Sequence, residues 1–106
     1  MRQHFVHYLI QQGYPKGRIQ IEGALSYNTR TKRSDILAWS AEGKPYLLVE
    51  CKAPHIALSD KVWHQVKIYN QIHQAPYIAL TNGMEHLYAK FENGQYQQIK
   101  ALPEVG

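Results

Sequence analysis

The sequence predicts an α/β domain, a mixed β-sheet flanked by helices and finished by a C-terminal hairpin. Three observations predict it. Apolar residues recur at helical spacing in two separate segments, near 2–12 and 60–74, and short strand-like runs lie between and after them. One of those runs, Tyr46-Leu-Leu-Val-Glu-Cys-Lys-Ala53, is apolar on both faces, the pattern of a central strand covered on each side. The chain has 106 residues, which is room for one layered unit and not for two cores, so residues 1–106 are expected to form one domain.

Each element follows from local chemistry. In the first helix Phe5, Tyr8 and Leu9 make the inward stripe, widened by Val6 and Ile10, and Gly13-Tyr-Pro15 stops it. No capping residue precedes Arg2, so the helix reads as cut from a longer one. Over 18–27, Ile19, Ile21, Leu25 and Tyr27 alternate on one face and predict a half-buried strand. Residues 28–33, Asn-Thr-Arg-Thr-Lys-Arg, are a basic polar loop. Strands at 35–40 and 46–53 follow, joined by a tight turn in which Gly43 supplies the backbone freedom.

Pro54 ends that hairpin, and Ser59 or Asp60 caps a helix over 60–74 with Val62, Val66, Tyr69 and Ile72 or His73 inward. Residues 77–81 form a buried strand that runs into a turn at Thr81-Asn-Gly83. The terminal hairpin pairs 87–91 with 96–99 across Glu92-Asn-Gly-Gln95. A helix between the strands at 46–53 and 77–81 implies a parallel crossover in an otherwise antiparallel sheet.

Composition narrows the function classes. A hydrophobic share of 44% and a charged share of 19% are those of a folded globular chain. A formal charge of +4 leans toward a polyanionic partner. The lone Cys51 excludes an internal disulfide and a Cys-rich zinc site and fits a reducing compartment, the cytoplasm by default. No run reaches the ~18 apolar residues of a membrane helix, so no membrane partner is expected.

The charges inside the strands are the informative exception. Along 46–53, Leu47, Val49 and Cys51 point one way and Leu48, Glu50 and Lys52 the other. Glu50 and Lys52 are therefore same-face neighbours about 7 Å apart along a strand that buries both faces. With Glu42-Gly43 as the turn, Ala41 faces Lys44 and Asp35 lies across from Glu50, which brings two carboxylates to within about 5 Å. A divalent cation removes the repulsion: hard oxygen donors at that spacing suit Mg²⁺, and Lys52 would face the phosphate or the attacking water. The other reading of these residues is a structural ion pair on a solvated face, with Asp35 as a loop cap. Gln65 weighs against it, since a polar residue breaks the inward stripe of the second helix one turn from Tyr69.

The segments Arg33-Ser-Asp35-Ile-Leu37, Leu48-Val-Glu50-Cys-Lys52-Ala-Pro54, Gln65-x-x-x-Tyr69 and Pro76-Tyr-Ile-x-x-Thr-Asn-Gly83 together resemble the N-terminal nuclease domain of type I restriction enzyme R subunits, a branch of the PD-(D/E)xK nuclease superfamily. The resemblance spans nearly the whole chain. It implies a restriction-endonuclease-like fold and hydrolysis of DNA phosphodiesters, with Mg²⁺ as cofactor and Mn²⁺ as its substitute. Asp35, Glu50 and the carbonyl of Cys51 would hold the metal, and Lys52 would be the catalytic lysine. Gln65 and Tyr69 match the motif beside that centre, and the implied assembly is a homodimer or a larger restriction complex. The chain departs from the superfamily in having no acid in residues 1–12, where a further acidic residue is common; Glu22, read otherwise as a solvent-facing acid, is the alternative. A non-catalytic nucleic-acid-binding or assembly module on the same fold is the rival reading.

Arg30, Lys32 and Arg33 directly precede Asp35 and are placed to hold a phosphate, or are an ordinary solvated loop. The six histidines show no zinc-ligand spacing, Trp39 and Trp63 read as core or interface, and no glycine loop for a nucleotide cofactor is present.

Overall fold

A computed structural model describes residues 2–21 and 36–105. The distal half of the first strand, Glu22, the basic loop with Arg30, Lys32 and Arg33, and Asp35 lie outside the described residues.

Within them, helix α1 (Arg2–Gln11) is followed by β1 (Ile19–Ile21), β2 (Ile36–Trp39), β3 (Pro45–Cys51), α2 (Asp60–His73), β4 (Tyr77–Thr81), β5 (His86–Glu92) and β6 (Gln95–Ile99). The strands form one sheet in chain order, and only the β3–β4 pair, bridged by α2, is parallel. The mixed sheet with a helical crossover is thus as the sequence predicts. Neither described helix is long and apolar enough to cross a membrane.

β3 is covered on both faces. Leu47 and Val49 join Ile36, Ala38 and Ala79 under Phe5 and Leu9 of α1. Leu48, on the opposite face, joins Leu37, Ile78 and Leu80 under Val66 of α2. Full burial of such side chains stabilises by roughly 1.5–3 kcal/mol each, which fixes the strand's register and with it the face on which Glu50 and Lys52 emerge. On the α1 face the C-terminal segment is tied down by two phenols: Tyr14 donates to the Pro103 carbonyl at 2.7 Å and Tyr46 to that of Glu104.

The β2–β3 hairpin departs from the expected two-residue turn. Ser40 and Lys44 close a three-residue loop, with Ser40 N–H donating to the Lys44 carbonyl at 2.7 Å and Gly43 N–H to that of Ser40 at 3.0 Å. Gly43 has φ +79°, as a three-residue loop of this kind requires, and the Ser40 hydroxyl accepts from the Glu42 and Lys44 amides. A register shift between Ala38 and Trp39 then absorbs the extra residue. Beyond it the pairs are Ala38–Leu47, Leu37–Leu48 and Ile36–Val49, the same register that the two-residue turn predicts.

α2 is capped as expected by Ser59, whose hydroxyl accepts from Val62 N–H, and carries Asp60 in its first turn. Of the two expected ends of the inward stripe the structure takes His73, half-buried, and not Ile72, and the centre of the stripe shifts toward Asn70. Val66 and Asn70 are buried, Val62 and Trp63 pack beside them, and Ile72 is 81% exposed. At about 100° per residue, Ile72 lies about 120° round the helix from Val66, too far to reach the sheet. Tyr69 and Gln65 lie about 60° and 100° from Val66 on that same side, which makes them the half-buried margin. The terminal hairpin turns at Asn93 (φ +55°) and Gly94 (φ +77°), the left-handed pair a two-residue hairpin needs.

Candidate active site

Glu50 is the last fully buried residue of β3, 3% exposed, and its neighbours on the sheet are the parallel partner Leu80 and, on the same face, Leu48. Two residues on, Lys52 leaves the strand on that face, its backbone N–H still donating to the Thr81 carbonyl at 2.7 Å. Its ammonium Nζ lies 3.4 Å from Glu50 Oε2. The Lys52 side chain keeps 15% exposure against 4% for Glu50, so the pair runs from the core outward, with the carboxylate inside and the amine at the rim.

Tyr69, on the half-buried margin of α2, is near enough to this pair for the Glu50 charge to act on its phenol. Burial, and secondly the nearby Glu50 charge, raise its phenol above the ordinary 10.0, so it stays a hydrogen-bond donor throughout the neutral range. Gln65, one turn earlier on the same margin, is half-buried. Cys51 points to the α1 face, packed against the core there, as strand alternation requires; only its backbone could take part at the Glu50 side.

The described residues thus bring together Glu50 and Lys52, with Tyr69 within reach of the Glu50 charge. They do not test Asp35, Arg30, Lys32 or Arg33. Among them no group of three His, Cys, Asp or Glu side chains is arranged to hold a metal ion. A buried carboxylate beside an amine is nevertheless an oxygen donor of the right hardness for one edge of a Mg²⁺ site. Ile36, the first described residue of β2, pairs with Val49, and Asp35 precedes it in the chain.

Comparison with protein-family models decides the kinship. The model for the type I restriction enzyme R protein N terminus matches residues 1–103. The chain belongs to this family. Comparison with curated proteins and with solved structures gives no match. Membership in the R protein N-terminal family places the chain in a restriction-modification context.

Two polar residues support the site: Asn82, in the Thr81-Asn-Gly83 turn that the sequence marks without revealing its bonds, and Asn70, which sequence reasoning missed. Asn82, 4% exposed, donates from its amide to the Ile56 carbonyl at 2.9 Å and accepts from the Met84 and Glu85 amides at 2.9 and 2.8 Å. It ties the segment that follows Lys52 to the β4–β5 turn. Asn70, 2% exposed, accepts from Ala75 N–H at 3.0 Å and donates to the Ala75 carbonyl and the Tyr96 hydroxyl. That clamp sets where α2 hands over to β4. A polar residue on an otherwise inward stripe was the available signal in both helix cases, Gln65 and Asn70, and only the first lies near charge.

Proposed function

We propose that this R protein N-terminal domain has the restriction-endonuclease-like fold of the PD-(D/E)xK nucleases and hydrolyses DNA phosphodiesters with a divalent metal. The observation that carries the reading is the ion pair of Glu50 and Lys52 on a sheet face otherwise filled with leucine, isoleucine and alanine, with Tyr69 within reach of the carboxylate's charge. A purely structural ion pair in such a place gains little over apolar packing, since desolvation offsets most of its attraction.

In this reading Asp35, Glu50 and the Cys51 carbonyl hold Mg²⁺, which when bound neutralises charge building on the phosphodiester. Mn²⁺ is the natural substitute. Lys52 Nζ stands where the attacking water and the phosphate meet: as an ammonium it stabilises the phosphate's charge, and in its neutral form it takes the water's proton. The Tyr69 hydroxyl, kept protonated, donates to the Glu50 carboxylate or to a phosphate oxygen, and the Gln65 amide orients Lys52 or the DNA backbone without ever titrating. Arg30, Lys32 and Arg33 hold flanking phosphates and so position the strand without reading its sequence. Cutting both strands requires two such centres, hence a second copy or a larger restriction complex.

Plasmid nicking tests this directly. Nicking that depends on Mg²⁺ or Mn²⁺ and is abolished by Lys52→Ala, with the variant's circular dichroism unchanged, is the expected result. DNA binding indifferent to chelation, with no nicking by the unmodified chain, would instead make the domain a non-catalytic binding or assembly module.

A further inference from the structure

On the α1 face, behind the Glu50–Lys52 pair, three rings enclose a recess of about 390 Å³ that also touches His4, Thr81 and Gly83. Tyr8 and His86 lie nearly parallel, 10° apart with centroids 6.4 Å from each other. Phe5, 4% exposed, is tilted against both at 5.6 and 5.7 Å. Two of these rings rest on hydroxyl groups. Thr81 Oγ1, in a residue 1% exposed, is 2.7 Å from His86 Nδ1 and also accepts from Gly83 N–H. Tyr88, 6% exposed, lies beneath Tyr8, close enough for the two phenols to act on each other. Yet Tyr8 is itself 37% exposed and His86 is exposed. Surface rings backed by buried hydroxyls are preorganised, and core packing does not require that of them.

We propose that the Tyr8–Phe5–His86 recess binds one unstacked nucleobase of a DNA strand. This rests on the reading of the domain as acting on DNA. Tyr8 and His86 present near-parallel rings beside Phe5, and stacking a base needs only one such exposed aromatic face at the mouth of the recess. With Nδ1 engaged by Thr81, His86 turns its other ring nitrogen toward a base edge, and His4 adds a second imidazole at the rim. Position ties the recess to the chemistry: Thr81 pairs with His86 across β4–β5, and its carbonyl holds the Lys52 amide. The recess and Lys52 therefore share one end of the sheet on opposite faces, and a strand crossing that end can leave a phosphate at Lys52 and a base behind it. The preferred substrate is then DNA with an unpaired or frayed end, where unstacking costs least.

The test uses the full chain with divalent metal withheld by a chelator, so that DNA stays intact, and duplexes with 2-aminopurine either in a short overhang or inside a blunt duplex. Binding is read by anisotropy of a distant label and insertion by 2-aminopurine fluorescence. Quenching of the overhang base is expected, lost in Tyr8→Ala and His86→Ala with a roughly 5- to 150-fold weaker overhang affinity and unchanged blunt-duplex affinity. Tyr8→Phe, which keeps the ring, should retain the quench and guards against a folding defect in Tyr8→Ala. Quenching that survives both alanine variants, or bound overhang DNA without any quench, overturns the recess. Plasmid nicking by the unmodified chain, run in parallel, separates the two readings: nicking without quench removes only the recess, quench without nicking removes only hydrolysis, and absence of DNA binding removes both.

Discussion

Lys52 Nζ and Glu50 Oε2 are 3.4 Å apart at the point where β3 leaves the core, and both side chains emerge on the face that α2 covers. Removing the amine leaves a carboxylate in a residue only 3% exposed without the cation beside Oε2. Lys52→Ala should therefore destabilise the fold by about 1–3 kcal/mol, below the ~3–5 kcal/mol of a fully enclosed pair because the amine is partly solvated. The double variant Glu50→Gln, Lys52→Met should recover most of that loss in thermal melts while restoring no nicking. Recovery of nicking along with stability would mean the pair serves the fold alone.

Tyr69 supplies a second test at the same spot. Burial and the Glu50 charge hold its proton above the usual tyrosine range, so the phenol donates at every pH below about 10. Tyr69→Phe should lower nicking by about tenfold, one hydrogen bond to a charged group, by a factor that stays constant across the neutral and mildly alkaline range. A factor that vanishes well below pH 10 would show that another group is responsible.

The sheet was legible because its signals are redundant. β3 had to be central since both of its faces are apolar, and the β5–β6 turn had to fall at Asn93-Gly94 since few other pairs tolerate two positive φ values. The β2–β3 register came out as predicted for an incomplete reason: the turn has three residues, and the shift at Trp39 restores the pairing that burial of Ile36, Leu37 and Ala38 demands. Packing overruled turn chemistry there. The orientation of α2 was less legible, because Ile68, Tyr69 and Ile72 compete with Trp63 and Val66 for the inward face, and the winner depends on the clamp at Asn70, whose partner Ala75 the helical pattern does not reveal. Glu50, Lys52 and Gln65 could be found as exceptions to periodicity; the turn holding Asn82 could be found too, but not its bond to Ile56, which lies 26 residues away.

The shifted stripe of α2 gives a paired prediction. Ile72→Glu should leave stability within ~0.5 kcal/mol of the parent, as for an ordinary surface change at a residue 81% exposed. Asn70→Ala should cost roughly 2–4 kcal/mol, because it removes three hydrogen bonds and strands the buried Ala75 amide and carbonyl from that partner. Urea denaturation of both variants checks the pair, and an Ile72→Glu loss as large as that of Asn70→Ala would mean that the helix buries its other side.

Alkaline stability should report Tyr88. Its phenol is pushed up to about 12, first by burial and then by the Tyr8 hydroxyl and the hydrogen bond to it, against 10.0 for a free tyrosine. The protonated form is the one the fold favours, so its contribution is fully present below about pH 10, where folded and unfolded chains both keep the proton. Between about 10 and 12 the unfolded chain alone releases it, and stability falls with rising pH until the folded phenol titrates too. The loss assignable to this group across that window is roughly 2–3 kcal/mol. Tyr88→Phe removes the titration, so its urea midpoint should fall less steeply over the same window, with Tyr14 and Tyr46, both raised by burial, supplying the slope that remains. Tyrosinate absorbance followed in the folded protein should show one fewer late-titrating phenol in the variant. Identical slopes for parent and Tyr88→Phe would mean that the phenol ionises as readily folded as unfolded and that Tyr8 is not held from below.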